Sequence, residues 1–301
     1  MKQNNLVKRL YQYQKERFPF AIHIFTTSSV VLSSAAIVTR DLSSFSELLL
    51  PLIIATITCL FFMLNIRVFD DSKDEDFDEK FHKKRPVQRG LISLKELNLI
   101  NTVSMSLQFI INAFFSLAAT FWWVISLCYS LLAKYEFFCK SFIRKQFMLY
   151  NFLNLMQMFF LQIYIYYLIN PNLSFADPLL LIHFIFVLSN AMILEVARKL
   201  KGKREISKGL DTYSSRYGIK QSAYLYMSSY SITYLLFLYI FIKVGFSLII
   251  LLISFISLLV ITYSTIRYVI TQTKASTKII EIVAIAYYLS MHLLLMGAAL
   301  V

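Results

Sequence analysis

Seven acidic residues crowd into ten positions early in the chain, between Asp70 and Glu79. Three of them, Asp70, Asp74 and Asp78, recur at intervals of four, so on a helix they lie above one another on one face. Carboxylates placed so closely repel one another unless a cation lies among them. Mg²⁺ takes one or two protein carboxylates together with the phosphate oxygens of a substrate. The spacing is compatible with a magnesium site, whereas a run of acids by itself is more often a solvated loop. The metal interpretation is favoured because the acids begin directly at the end of an apolar run.

Basic residues interleave and follow these acids. They are Arg67, Lys73, Lys80, Lys83, Lys84 and Arg85. Acids that hold a metal beside cations that hold phosphate oxygens would bind a diphosphate group. We therefore predict that the three aspartates bind the metal and act in catalysis. Because Asp74 and Asp78 follow the end of a span, we expect both to be open to water and their loss to leave the fold intact. Substrate binding is predicted for Arg67, Lys73 and Arg85.

The elements that must position these residues are predicted to be membrane-spanning helices. Apolar residues make up 58% of the 301 residues and charged residues only 16%, against about 25% charged in a soluble domain. A spanning helix needs about 20 mostly apolar residues. Nine such runs cover residues 19–39, 47–68, 97–116, 118–135, 146–169, 176–197, 222–243, 245–268 and 279–300. The predicted fold class is an all-α bundle of about nine transmembrane helices, forming a single domain over residues 1–301.

One division between spans is weakly marked, because no charged turn separates the third run from the fourth. A single re-entrant run is the alternative there. Several spans also carry polar residues on one helical face. They are Asn101, Ser104, Gln108 and Asn112 in span three, Asn151, Asn154 and Gln157 in span five, and Tyr226, Tyr230 and Tyr234 in span seven. These faces are predicted either to bond helix to helix or to line a central cavity.

The basic residues indicate an orientation. With the N-terminus inside, all 30 Lys and Arg except Arg40 and Lys243 fall in inner segments. An excess of Lys and Arg on the cytoplasmic side is the rule that orients such proteins. We therefore predict an integral, multi-pass protein with a cytoplasmic N-terminus and an outer C-terminus, in a bacterial-type plasma membrane. The net charge of +13 follows from this topology, and nucleic acid is not an expected partner.

Two inner loops, residues 70–95 and 198–221, are long enough to form a site. The first contains the aspartates of residues 70–78, then Arg85–Pro86 and Gly90–Ser93. This run resembles the first aspartate-rich motif of the UbiA superfamily of intramembrane prenyltransferases, typically NDxxDxxxD followed by RPxxxGxIS. Asp70 stands where the family usually has Asn. The resemblance implies nine spans, with the two motifs in the inner loops after spans two and six.

The second loop matches the family in its tail. Members usually carry DxxxD there, followed by Gly, Thr and a final Gly. Gly209, Thr212 and Gly218 lie at the expected distances, and Glu205 stands in the place of the last acid. The rest of the motif is different, because the chain has no DxxxD in this loop.

Where the leading acid of that motif is usual, the chain has Arg198 and Lys199, with Glu195 one turn earlier. Two interpretations are open. Either Glu195 and Glu205 replace the aspartates as metal ligands, or the first loop holds one metal and the cations here bind the diphosphate directly. A basic loop that only orients the protein is the third possibility. The predicted substrate-binding residues of this loop are Arg198, Lys199, Arg204 and Tyr213.

The resemblance implies a function. We expect an Mg²⁺-dependent transfer of a prenyl group from a polyprenyl diphosphate to an acceptor, commonly aromatic in the family, within the membrane lipid. A terpene cyclase would use the same site without a second substrate, and a diverged member would lack activity. A transporter is the alternative from another class. It is disfavoured because transport usually requires ionisable residues near the middle of the membrane, whereas the acids here cluster at the inner rim.

Overall fold

The computed structural model of the protein describes residues 5–40, 45–206 and 211–300, and within them twelve α-helices and no strand. The helices are α1 Leu6–Arg17, α2 Phe20–Thr39, α3 Phe45–Lys73, α4 Glu75–Phe81, α5 Leu94–Phe115, α6 Leu117–Lys134, α7 Lys140–Ile143, α8 Phe147–Ile169, α9 Pro178–Arg198, α10 Tyr213–Val244, α11 Leu248–Thr271 and α12 Lys274–Ala298. The predicted all-α class is confirmed.

Within the described ranges, nine helices are long and apolar enough to cross a membrane: α2, α3, α5, α6 and α8 to α12. They coincide with the nine predicted runs, and the chain is an integral multi-pass membrane protein. A helix is suited to this task because all its backbone hydrogen bonds are made within the segment.

The weakly marked division between spans three and four lies at Ser116. This residue is extended, with φ −156° and ψ 116°, and its hydroxyl accepts a hydrogen bond from the backbone N–H of Ala119. Ser is a favoured helix N-cap because its oxygen satisfies a donor that the helix leaves open. One residue therefore ends α5 and starts α6, and the two-span prediction is confirmed over a re-entrant run.

The chain forms two compact units, one of residues 1–28 and 49–171 and one of residues 29–48 and 172–301. In the first unit α6 packs against both α5 and α8. Its apolar contacts include a small cluster at the ends of α1, α3 and α5, formed by Tyr13, Val68, Ile92 and Leu97. The single domain over residues 1–301 stays a prediction.

The second unit packs α9 against α10 and α12, and α11 against α12. Polar bonds support these contacts: Ser189 and Thr233 share a hydrogen bond of 2.7 Å, and the Asn190 amide donates to the Tyr288 carbonyl at 3.2 Å. The second unit therefore holds its spans together with short polar contacts as well as apolar packing.

The polar face predicted in span three bonds helix to helix inside the first unit. The Trp123 indole donates to Gln108 at 3.2 Å, and Asn112 joins Thr58 at 3.3 Å and the Tyr164 hydroxyl at 2.8 Å. Such bonds are worth making in a membrane because lipid offers polar groups no alternative partner. The prediction that this face bonds helix to helix is therefore confirmed for Gln108 and Asn112.

Candidate functional site

The aspartate face lies where α3 passes into α4. The backbone N–H of Asp74 bonds to the carbonyl of Asp70 at 2.9 Å, and that of Asp78 bonds to the carbonyl of Asp74 at 2.8 Å. These are the i to i−4 bonds of an α-helix, so the hydrogen-bond repeat continues across Asp74, although this residue, with φ −99° and ψ 15°, separates α3 from α4. Asp70, Asp74 and Asp78 therefore share one face, as their spacing predicts.

Each of these aspartates is paired with a different cation. Asp70 lies 3.0 Å from the Lys73 ammonium, and Asp74 lies 3.3 Å from the Arg144 guanidinium. Asp78 pairs with Arg85. Two of these cations, Lys73 and Arg85, are ones that the sequence predicted beside the aspartates. The three cations neutralise carboxylates that would otherwise repel one another.

Asp78 differs from its neighbours in burial. It is 1% exposed, and its Oδ1 atom has no hydrogen-bond partner within the described part of the chain. We expected this position to be open to water, and that expectation is wrong. The carboxylate is buried because α4 turns it inward and because the turn after α4 returns Arg85 over it.

Lys73 is also shielded from water, and Asp74 partly so. The Lys73 side chain is 4% exposed, and its ammonium lies 5.3 Å from the centre of the Tyr150 ring. Burial raises the pKa of the Asp74 carboxyl; Lys73 opposes this, and the nearby Asp70 adds to it. Cations and carboxylates thus share a partly dehydrated surface, where charge–charge interactions are stronger than in water.

Arg144, which the sequence did not single out, joins Asp74 to a buried carboxylate. Its Nε donates to Glu136 at 2.6 Å, while its second amino group faces Asp74. Glu136 is 3% exposed. It begins a turn in which Glu136, Phe137 and Phe138 all have φ between 50° and 57°. Left-handed backbone is costly for residues other than glycine, so this turn fixes Glu136 at a conformational cost.

Asp71 is a second residue that the sequence analysis passed over. It is 4% exposed and is bonded by three side chains. The Tyr13 hydroxyl donates to it at 2.7 Å, Arg67 bonds to it at 2.8 Å, and Arg17 pairs with it. The predicted substrate-binding residue Arg67 is therefore engaged with Asp71, and this network ties α1 to the end of α3.

We expect Asp71→Ala to lower stability by about 2–4 kcal/mol, because it strands two largely buried arginine cations without their partner. Tyr13→Phe removes one hydrogen bond and should cost only about 1 kcal/mol. Thermal unfolding of the purified protein in detergent measures both. The exposed Asp76→Ala is the matched control, and equal melting temperatures for all three variants would contradict the assigned role of Asp71.

The motif that follows Arg85 shapes the turn into α5. Gly90 has φ +75°, a conformation that glycine adopts without strain. Ser93 caps α5, and its side chain and backbone both bond Glu96 in a capping box. Glu96 in turn receives two hydrogen bonds from Arg9, at 3.0 and 2.7 Å. The Gly–x–x–Ser part of the motif is therefore structural, and it joins α1 to the start of α5.

The second loop, in the other unit, is built around Glu195. Arg198 Nε donates to this carboxylate at 2.6 Å, and the Lys199 ammonium lies 2.9 Å from it. Burial lowers the pKa of Lys199, and Glu195 opposes that shift. Together, Glu195, Arg198 and Lys199 carry one net positive charge. Arg198 is the most exposed of the three, with 59% of its side chain accessible to solvent.

Glu205 and Arg204 lie in a different part of the second loop, whereas Tyr213 is close enough to Glu195 and Arg198 to interact with their charges. Glu205 accepts hydrogen bonds from the Gly202 N–H at 2.9 Å and from the Thr277 hydroxyl at 3.0 Å. Arg204 is exposed, and Tyr213 is 1% exposed at the start of α10. The carboxylate of Glu205 thus links the turn at Gly202 to the first turn of α12.

The glycine and threonine of the family's tail also have structural roles. Thr212 is the N-cap of α10 and forms a capping box with Ser215. Gly218 has φ +80° and ψ 166° inside α10, a backbone region that is essentially restricted to glycine. It separates the first turn of α10 from the spanning part. Gly209 lies outside the described residues.

Among the described residues, no group of three or more His, Cys, Asp or Glu side chains is close enough to form a ready-made metal site. The first loop nevertheless fits Mg²⁺. It offers hard carboxylate oxygens on one face, and the buried Oδ1 of Asp78 has no hydrogen-bond partner in the part of the chain that the structure describes. Mg²⁺ is often held by one or two carboxylates, with waters and substrate phosphates completing its ligands. A small protein ligand set is therefore sufficient.

A sequence model of the UbiA prenyltransferase family matches residues 26–295, nearly the whole chain. The chain belongs to this family. Its members are membrane prenyltransferases, and the resemblance predicted from the two loops is confirmed. No curated protein matches the chain in sequence.

Two solved structures share the UbiA fold. One, described as a digeranylgeranylglyceryl phosphate synthase, has a TM-score of 0.58 and 17% identity and covers 94% of this chain and 99% of its own. The other, a UbiA homologue from Aeropyrum pernix K1, has a TM-score of 0.64 and 14% identity, covering 92% and 96%. At such low identity these structures support the fold alone.

Proposed function

We propose that this UbiA-family protein transfers a prenyl group from a polyprenyl diphosphate to an acceptor in the membrane, and that the reaction depends on Mg²⁺. The observation that carries the proposal is the helical face of Asp70, Asp74 and Asp78, alternating with Lys73, Arg85 and Arg144. Carboxylates and cations in alternation suit a diphosphate with a divalent metal better than either ligand alone. The aromatic nature of the acceptor rests on the family resemblance.

Asp74 and Asp78 are the proposed metal ligands, with Asp70 beside them. Bound Mg²⁺ would neutralise charge that develops on the departing diphosphate. Lys73 and Arg144 lie close enough to the same carboxylates to hold them in place when substrate is absent. Their fixed positive charges would stabilise phosphate oxygens without reorganising, because their side chains are already ordered by ion pairs.

In the second loop we propose that Arg198 and Lys199 bind phosphate oxygens, rather than that Glu195 and Glu205 bind a metal. Two observations support this choice. Both cations already flank Glu195, so its carboxylate is neutralised, and Glu205 is engaged with the Gly202 turn and Thr277. Arg198 is the cation best placed to reach a ligand, because 59% of its side chain is exposed, against 16% for Lys199.

The distribution of basic residues also supports a proposed orientation. We assign both loops and the N-terminus to the inner side of a bacterial-type plasma membrane, and the C-terminus to the outer side, because cytoplasmic segments are enriched in Lys and Arg. A reporter fused at each end, active on one side only, measures this directly. An inner reporter at the C-terminal end would contradict it.

The proposed function is tested by incubating the purified protein with geranylgeranyl diphosphate and a set of aromatic acceptors, with Mg²⁺ or with EDTA. We expect diphosphate release and a prenylated product only with Mg²⁺ and an acceptor. Diphosphate release with a cyclised hydrocarbon and no acceptor would identify a terpene cyclase instead. Absence of both product and analogue binding would contradict the enzyme assignment.

We expect the triple variant Glu195→Gln/Arg198→Ala/Lys199→Ala to bind a non-hydrolysable prenyl thiodiphosphate roughly tenfold more weakly, since hydrogen bonds to charged groups are the strong ones. Glu195→Gln alone is the matched control. It keeps both cations and frees them from the carboxylate, so it should bind at least as tightly as the wild type. If the triple variant bound like Glu195→Gln, these cations would serve membrane topology alone.

A further inference from the structure

A basic pocket of about 540 Å³ opens between the end of α1 and the turn that follows α4. Its lining includes Arg17, Lys80, Phe81, Lys83, Lys84 and Arg85. The pocket belongs wholly to the first unit, and none of the aspartates at positions 70, 74 and 78 lines it. It is therefore a feature separate from the aspartate face, although Arg85 borders both.

The charges in this pocket divide into two groups. Arg17 and Arg85 are engaged, with Asp71 and Asp78 respectively, and the one acid in the lining, Glu16, receives two hydrogen bonds from Arg89 at 2.8 and 2.7 Å. The second group is Lys80, Lys83 and Lys84. All three are exposed, and within the described ranges none has an acidic residue within ion-pair distance.

Three uncompensated ammonium groups around one concavity repel one another. The repulsion is relieved when an anion enters. Glu16, Asp71 and Asp78 are committed to arginines. Asp76 and Glu79 of α4 are exposed, and within the described ranges neither forms an ion pair with these lysines. The pocket therefore suits an anion supplied from outside, and phosphate oxygens, which can accept from several ammonium groups at once, fit it well.

The setting of the pocket favours a lipid as the source of that anion. Arg17 ends α1 only three residues before the spanning helix α2 begins at Phe20. The outward side of α1 holds Val7, Lys8, Tyr11 and Lys15, which fall within about 100° of arc on a helix of 3.6 residues per turn. Val7 is 71% exposed and Tyr11 63% exposed.

That arrangement is typical of a helix lying in a membrane interface. Apolar and aromatic side chains enter the headgroup boundary, while flanking lysines attract anionic lipids. Phe81, at the rim of the pocket, is also 53% exposed. The opposite side of α1 cannot turn to the lipid, because Arg9 and Tyr13 bond to Glu96 and Asp71. The helix is therefore held with one fixed face outward.

We propose that the pocket formed by Lys80, Lys83 and Lys84 with the end of α1 binds the phosphate headgroup of an anionic phospholipid, whose acyl chains lie along the exposed side of α1. The site is distinct from the proposed diphosphate site and does not depend on prenyl transfer. A juxtamembrane cluster of lysines beside an anionic leaflet gains affinity with each charge. The bound lipid would hold the turn after α4, and with it Arg85, at the membrane surface.

The test is native mass spectrometry of the full-length protein in detergent, titrated with phosphatidylglycerol or with phosphatidylcholine of the same chain length. We expect the wild type to prefer phosphatidylglycerol, and Lys83→Ala/Lys84→Ala to bind it roughly tenfold or more weakly. The matched control is Lys274→Ala/Lys278→Ala, which removes two exposed lysines from the start of α12 and should bind like the wild type.

Three outcomes would overturn the proposal. Equal phosphatidylglycerol binding by the two double variants would show that the pocket is not the site. Displacement of the lipid by millimolar inorganic phosphate would identify a soluble-anion site instead. Displacement by a prenyl thiodiphosphate would make the pocket part of the substrate site. The lipid measurement does not depend on turnover. A protein that failed the prenyl-transfer test but still preferred phosphatidylglycerol would refute the proposed enzyme function and leave this inference standing.

Discussion

Replacing Asp74 by Ala is expected to reduce Mg²⁺-dependent diphosphate release by roughly 100-fold or more. The metal has few protein ligands in such a site, and it supplies several kcal/mol of charge stabilisation in the transition state. About a third of the Asp74 side chain is exposed, and its partner Arg144 keeps a second carboxylate in Glu136. The fold should therefore tolerate the change, with a melting temperature close to that of the wild type.

The matched control is Asp76→Ala, two residues further along. Residue 76 points about 200° away from Asp74 on a helix of 3.6 residues per turn, and Asp76 is exposed. Both variants remove one carboxylate from the same acidic run, so the net charge becomes more positive by one in each. Activity of Asp76→Ala should stay within about twofold of the wild type. An equal loss of diphosphate release in the two variants would mean that activity depends on the total negative charge of the run and not on the helical face.

The spans were predictable because a membrane imposes one strong requirement, a long apolar helix. Runs such as residues 97–116 and 245–268 coincide with Leu94–Phe115 and Leu248–Thr271 to within a few residues. The helix α1 was not predicted. Its sequence is polar, and it is held in place by distant partners. Tyr13 bonds to Asp71, 58 positions away, and Arg9 bonds to Glu96, 87 positions away.

The aspartate face was predictable from its spacing, since a repeat of four residues encodes one side of a helix. The surroundings of that face were not. Arg144 reaches Asp74 across 70 positions, and it also bonds to Glu136, which starts a left-handed turn. No local pattern distinguished Asp71 within the acidic run, and only its position on the inward face of α3 reveals its role.

Asp78→Ala is expected to damage the protein in two ways. The carboxylate is almost fully buried against Arg85, whose side chain is 30% exposed. Removing one partner of a largely buried ion pair strands the other, at a cost of about 2–4 kcal/mol. This corrects the expectation from sequence, in which Asp78 lay open to water and its loss left the fold intact. Thermal unfolding should therefore show a clear loss of stability beside the loss of activity.

Asp78→Asn separates the two effects. The amide oxygen still accepts a hydrogen bond from Arg85 in a side chain of the same size, so most of the stability should return. The negative charge is lost, and with it a proposed ligand for Mg²⁺, so diphosphate release should remain roughly 100-fold below that of the wild type. If Asp78→Asn recovered activity together with stability, Asp78 would act only through its ion pair with Arg85. The metal would then be held by Asp74 and Asp70.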